Sequence, residues 1–269
     1  MREIIDLNFN WLFSKEHQDE HIKEYNNIQG FEKVDLPHNA VNVPYHYFDD
    51  SLFHIDCTYK KEIFIKEAWK DKIINIIFEG VSNIAHIFIN DEFVMTHKGG
   101  YTRFKVTLND FVNYGKVNML TVYVDSHENV FVPPFGGAVD YLSYSGIYRE
   151  VSLEVLDNIH IKDCFIRTYD AVNSTLATFG LDLSCESGIL VISIFDEDEE
   201  ISNTKVAINN PHMEVKVDVN NKVLWDLENP HLYTANVKLF HEDVLYDELT
   251  TRFGFREVEF KADGFYLNH

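Results

Sequence analysis

With 44 carboxylates and 13 histidines in 269 residues, the chain has ample material for acid–base or metal chemistry. The densest run is Asp196-Glu197-Asp198-Glu199-Glu200. A calcium loop needs spaced oxygen ligands and a glycine for its sharp turn, and this run has neither. It is predicted to be a solvated, self-repelling turn. His38, His97 and His127 fall in predicted loops of the first half of the chain. No Ser-His-Asp or metal-ligand spacing surrounds them, and no phosphate loop, Cys-x-x-Cys pair or dinucleotide fingerprint occurs elsewhere. No metal site, no cofactor and no catalytic residue are therefore expected. Cys57, Cys164 and Cys185 are odd in number and widely spaced. They suggest buried, reduced thiols rather than a disulfide framework.

The formal net charge is -21. Phosphate binding needs clustered Lys and Arg, so nucleic acid and anionic membranes are disfavoured as partners, while a neutral ligand such as a sugar is compatible. No stretch of 18 apolar residues occurs, and the segment that starts Met1-Arg2-Glu3-Ile4-Ile5-Asp6 lacks a long apolar run; a cytoplasmic location is the expectation.

The elements that must position any site are predominantly strands. Aromatics make up 14% of the chain, with 21 Phe and 14 Tyr, which suits pleated surfaces. Apolar runs predict strands over 73–78, 84–89 and 93–95, with Asn90-Asp91 as a tight turn between the last two, because both residues tolerate positive φ. Further strands are predicted over 104–106, 119–124 and 148–155, then over 159–167, 175–183, 189–195, 213–219, 233–240 and 244–251. The one helical candidate, 14–25, is polar and reads equally well as a loop. The fold class is all-β: a jelly-roll β-sandwich over 1–157, followed by an immunoglobulin-like β-sandwich over 158–258 and a short connection over 259–269. Long loops at 34–56 and 126–145 are where binding residues are expected.

Several segments carry a resemblance, in order and at matching spacing: Leu7-Asn8-Phe9-Asn10-Trp11-Leu12-Phe13, Val34-Asp35-Leu36-Pro37-His38, Phe78-Glu79-Gly80-Val81 and His97-Lys98-Gly99-Gly100-Tyr101-Thr102-Arg103-Phe104. Val122-Tyr123-Val124-Asp125-Ser126 and Tyr144-Ser145-Gly146-Ile147-Tyr148-Arg149 follow. Leu224-Trp225 and Asn229-Pro230-His231-Leu232-Tyr233 come later, then Phe253-Gly254-Phe255-Arg256 and Asp263-Gly264-Phe265-Tyr266-Leu267-Asn268. Together they resemble the N-terminal sugar-binding and immunoglobulin-like domains of family 2 glycoside hydrolases, which include β-galactosidases and β-glucuronidases. One departure is the hairpin turn, usually Asn-Gly in that family and Asn90-Asp91 here.

The resemblance implies that the final segment leads into a catalytic (β/α)8 barrel that is missing from this chain, which ends at His269. Both catalytic glutamates of the family lie on that barrel, so the parent would hydrolyse terminal β-linked sugars while this chain alone would be inactive. It further implies that Asp140 reaches into the sugar pocket as a substrate-binding residue, where a carboxylate accepts hydroxyl hydrogen bonds. The implied partners are the terminal sugar and the barrel, with a homo-oligomer open for the intact enzyme. Two other readings compete. One is a free-standing carbohydrate-binding module using Tyr45, Tyr47 and Phe48, or Tyr141 and Tyr144; the other is an adhesive two-sandwich protein. Trp11 and Phe13 are expected in the core, Gly99-Gly100 at a sharp backbone excursion and Pro133-Pro134 in a stiffened loop, with Arg149 and Arg256 in buried or interdomain ion pairs.

Overall fold

A computed structural model describes residues 1–23, 28–42, 46, 49–133 and 144–269. The chain divides into two compact units, one of Glu3–Val155 and one of Leu156–His269 joined by Met1–Arg2.

The strands of the first unit are β1 (Glu3–Asp6), β2 (Trp11–Ser14), β3 (Glu32–Val34), β4 (Asp56–Ile65), β5 (Ile73–Phe78), β6 (Ile84–Ile89), β7 (Glu92–Lys98), β8 (Phe104–Thr107), β9 (Lys116–Asp125) and β10 (Val151–Leu156). They form two sheets, ordered β1-β10-β5-β8 and β3-β2-β4-β9-β6-β7. Strands that are distant in sequence lie side by side, as a jelly roll requires. Between the sheets lies one core that includes Trp11, Phe13, Tyr59, Ile76, Phe78, Ile87, Val122, Val124 and Leu153. Trp11 and Phe13 are thus core residues, as expected.

β4 shows how sequence and burial interact here. Cys57, Tyr59, Ile63 and Ile65 point into the core at period two. On the opposite face Thr58 and Lys60 are also buried. The segment between β2 and β3 covers them: His17 and His21, the latter on the short helix α1 (Glu20–Lys23), approach Thr58 Oγ1 at 2.9 and 3.3 Å, and the Lys60 ammonium lies 5.1 Å from the Phe31 ring centre. The predicted helix over 14–25 is therefore confined to α1 among its described residues, and Ser14 belongs to β2.

The β6–β7 hairpin turns at Asn90 and Asp91, with φ of 50° and 70°. Two successive left-handed residues make the turn whose twist matches the flanking strands. The β10 strand begins at Val151 rather than at 148, because Tyr148 and Arg149 are engaged by Gly80 and Gly100 across the fold.

The second unit contains β11 (Ile161–Arg167), β12 (Leu176–Leu183), β13 (Gly188–Asp196), β14 (Glu199–Ile208), β15 (His212–Asp218), β16 (Tyr233–His241), β17 (Val244–Phe253), β18 (Val258–Lys261) and β19 (Gly264–Leu267). Sheets ordered β11-β12-β15 and β14-β13-β16-β17 enclose a core including Phe179, Leu190, Ile192, Val237, Leu239, Tyr233 and Phe255. This is an immunoglobulin-like sandwich. The acidic run at 196–200 is a hairpin tip: Asp196 pairs with Glu199, and Glu197 takes a φ of 51°. β18 and β19 form a separate hairpin over the segment predicted as a connection.

Arg2 belongs to this second unit. Its guanidinium donates to both carboxylate oxygens of Asp247, at 3.2 and 2.9 Å, and to the Ile161 carbonyl at 2.7 Å. Asp247 is 1% exposed and also accepts from the Ile161 and Glu248 amides at 2.9 and 3.0 Å. Such complete satisfaction is what makes a buried carboxylate tolerable.

Candidate functional site

The candidate site is the loop-bearing end of the first sandwich. Asp140, the residue singled out from the sequence, lies outside the described residues, as do Tyr45, Tyr47, Phe48 and Tyr141. The structure does define what holds the two flanks of the segment 134–143. On the upstream side Asn129 and Val132 form a bridge, and Val132 is 2% exposed. On the downstream side Ser145, Gly146 and Ile147 are all buried.

The downstream flank is fixed by three separate loops. Ser145 N donates to Asn39 Oδ1 at 2.9 Å, and Ala40 N returns a bond to Ser145 O at 2.9 Å. His38 N donates to Ile147 O at 2.9 Å, and Ser82 N to Gly146 O at 3.0 Å. Gly146 has a φ of +89°, and a Cβ there would lie 2.2 Å from the Tyr59 hydroxyl oxygen. Only glycine fits this conformation and this closeness. The Tyr59 hydroxyl is 2.8 Å from His38 Nδ1. Burial raises the Tyr59 phenol well above its ordinary value and holds the His38 imidazole below its own. Both groups are therefore neutral at pH 7, and their contact is a structural hydrogen bond.

Asn83 ties the upstream loop to the same frame. Its side-chain Nδ2 donates to the Ser126 and His127 carbonyls at 3.3 and 3.4 Å, and its backbone carbonyl accepts from Gly99 N at 3.0 Å. A Cβ on Gly100 would come within 2.8 Å of Asn83 Oδ1, which explains the second glycine of the pair. The Tyr148 hydroxyl donates to the Gly100 carbonyl, and the Tyr144 ring stacks on Tyr148 at 4.7 Å. Tyr144 is thus committed on one face, although it is 49% exposed.

The three loop histidines have distinct settings. His38 lies in a loop as expected. His97 does not: it is in β7, its ring stacked on Phe104 at 4.0 Å, because the Gly99-Gly100 excursion begins only after Lys98. His127 follows β9, with Nδ1 2.9 Å from Asp125 Oδ1. Asp125, Ser126 and His127 are consecutive, but the Ser126 hydroxyl donates to the Ser82 carbonyl at 2.6 Å and is buried, so it is not a nucleophile facing His127. Asp56, from the facing strand, brings a second carboxylate to His127, a grouping that sequence spacing does not show.

Arg149 and Arg256 are not buried. Both are exposed, and each guanidinium lies over an aromatic ring, Tyr148 at 5.4 Å and Trp225 at 5.3 Å. A weakly hydrated planar cation sits well on such a face. The three thiols are unbonded; Cys57 is buried and the other two are half-buried, with burial pushing Cys164 up to about 11.

Comparison with known proteins identifies this arrangement. Residues 53–157 match the sugar binding domain of glycosyl hydrolases family 2, and residues 159–256 match a second domain of glycosyl hydrolases family 2. A β-galactosidase of Thermoanaerobacterium thermosulfurigenes is 38% identical over 100% of this chain, and one of Thermoanaerobacter pseudethanolicus is 34% identical over 99%. A β-glucuronidase of Bacteroides fragilis is 28% identical over 99% of the chain. The chain spans only 39%, 37% and 40% of those three proteins. A crystal structure of a glycosyl hydrolase family 2 member from Bacteroides cellulosilyticus superposes with a TM-score of 0.81 at 26% identity, covering 98% of this chain and 38% of that one. In sequence and in fold, then, this chain belongs to glycoside hydrolase family 2, as its sugar-binding domain followed by its immunoglobulin-like domain.

Proposed function

We propose that this chain is the non-catalytic N-terminal region of a retaining glycosidase acting on terminal β-linked sugars, β-galactosides first, then β-glucuronides and β-mannosides. The observation that carries this reading is that this whole chain aligns with part of two β-galactosidases, at 38% and 34% identity. Retaining hydrolysis needs two carboxylates about 5–5.5 Å apart, and in this family they belong to a (β/α)8 barrel of about 250 residues. In this proposal the barrel supplies them, and the first sandwich supplies one wall of the sugar pocket.

The wall is the 126–145 loop, held at its flanks by buried Val132 and by the Asn39, Ser82 and Tyr59 contacts to residues 145–147. A rigid root suits a loop that must place one carboxylate accurately. Asp140 is proposed to bind hydroxyls of the terminal sugar from this loop. The second sandwich is proposed as a spacer, and its β18–β19 hairpin exposes Phe260 and Phe265 at 82% and 58%, apolar surface that suits contact with the barrel. A cytoplasmic location is part of this proposal.

The test is Asp140→Ala in the enzyme formed by this chain together with its barrel. Loss of a charge-assisted hydrogen bond of about 1.5–3 kcal/mol predicts a fall in kcat/KM of roughly 10- to 160-fold. Unchanged kinetics would remove Asp140 from the pocket.

A further inference from the structure

We propose that Asp56, Asp125 and His127 form a divalent transition-metal site, zinc in the first instance, at the junction of β4, β9 and the loop that follows β9. Asp56 and Asp125 are direct cross-strand partners in the β4–β9 ladder. Like charges directly opposite each other on a sheet destabilise it. No Lys or Arg pairs with either carboxylate among the described residues, so the two negative charges have no fixed cation beside them. The pair calls for a cation, and an imidazole nitrogen stands beside it.

The spacing fits one shared ion. His127 Nδ1 is 2.9 Å from Asp125 Oδ1 and 3.8 Å from Asp56 Oδ1, and all three donor atoms lie within 4.8 Å of one another. Ligand atoms bound tetrahedrally at about 2.0–2.1 Å sit roughly 3.4 Å apart, inside that range. The donors are already oriented by neighbours that an ion would not displace. The Tyr123 hydroxyl donates to Asp56 Oδ1 at 2.8 Å, and the His127 amide to Asp125 Oδ1 at 2.9 Å. Such outer contacts hold ligands in place before metal arrives.

Two carboxylates and one imidazole make a mixed O/N set that suits zinc, and three protein ligands are too few for calcium, which takes six to eight oxygens. The half-exposed position leaves a coordination place for water. An ion here would join the start of β4 to the end of β9, at the root of the 126–145 loop, and would be structural.

The experiment is isothermal titration of the metal-stripped 269-residue protein with zinc chloride, with calcium chloride as the comparison. The expected result is one saturable zinc site per chain that is weakened at least tenfold by His127→Ala and by Asp56→Asn, and a zinc-dependent rise in melting temperature that both variants lose. Asn at 56 retains an acceptor for Tyr123, and His127 lies in an exposed turn, so circular dichroism should show both variants folded. If Asp56→Asn is nevertheless unfolded, His127→Ala alone decides. Absence of saturable uptake, or zinc binding unaltered in His127→Ala, overturns the proposal, the latter by assigning the ion to other histidines or cysteines.

Discussion

Gly146→Ala is the substitution whose cost follows most directly from the structure. Gly146 takes a φ of +89°, and an added Cβ would lie 2.2 Å from the Tyr59 hydroxyl oxygen, 3.1 Å from its Cζ and 3.3 Å from Ala40 Cβ. The tyrosine cannot yield: it is 0% exposed, with Trp11 and Phe13 rings 6.3 and 4.9 Å from its own. Left-handed backbone costs an L-residue about 1–2 kcal/mol, and overpacking a core costs about 1–3 kcal/mol. The sum is roughly 2–5 kcal/mol, which for a unit of this size lowers Tm by about 4–20 °C. Thermal and urea unfolding followed by near-UV circular dichroism measures it. Gly180→Ala is the control, since its Cβ would meet nothing nearer than 3.5 Å, and a change within about 0.5 kcal/mol is expected. A Gly146→Ala protein that melts like the parent would refute the claim that the 145–147 segment is rigidly seated on Tyr59.

Three further perturbations test other parts of the account. Burial lowers the pKa of His17, His21 and His86, with His21, Lys60 and Lys98 respectively adding to the effect. The unfolded chain therefore binds protons more readily, so stability should be level above the ordinary imidazole value and fall as pH drops below it. A first unit whose Tm rises between pH 7 and 5.5 would contradict that sign. Arg2→Ala strips Asp247 of its bidentate partner and should cost the second unit about 3 kcal/mol, read from urea midpoints; a shift under about 0.5 kcal/mol would make the pair dispensable. Asp91→Gly should stabilise the first unit by about 0.5–1 kcal/mol, because glycine takes the second left-handed turn position without strain, and a lower Tm would show that the Asp91 side chain contributes more than its backbone costs.

The sequence was most legible where burial is continuous and local. β5 and β6 appear as apolar, β-branched runs because both are buried along nearly their whole length, and Asn90-Asp91 marks the turn that ends β6. β4 was hidden by Lys60, Lys61 and Glu62, since a lysine buried beneath Phe31 reads as a surface residue until the covering segment is placed. β14 was hidden for the opposite reason: as an edge strand rich in exposed polar residues it has no apolar alternation strong enough to see. The excess of carboxylates suggests ion-pair partners for Arg149 and Arg256, but among the described residues their guanidinium groups lie over the rings of Tyr148 and Trp225. The grouping of Asp56 with Asp125 and His127 depends on β4–β9 register, which one sequence does not display. The family motifs were legible because each has a local physical job, such as the Gly146 cradle and the Gly99-Gly100 excursion beside Asn83.

The most direct test of the central claim is hydrolysis of p-nitrophenyl β-D-galactoside by the purified 269-residue chain. The account predicts a folded protein with no turnover above buffer, because the two carboxylates that perform the reaction are assigned to the barrel. Turnover that follows this chain through successive purification steps would contradict it and place a complete catalytic site within the two sandwiches.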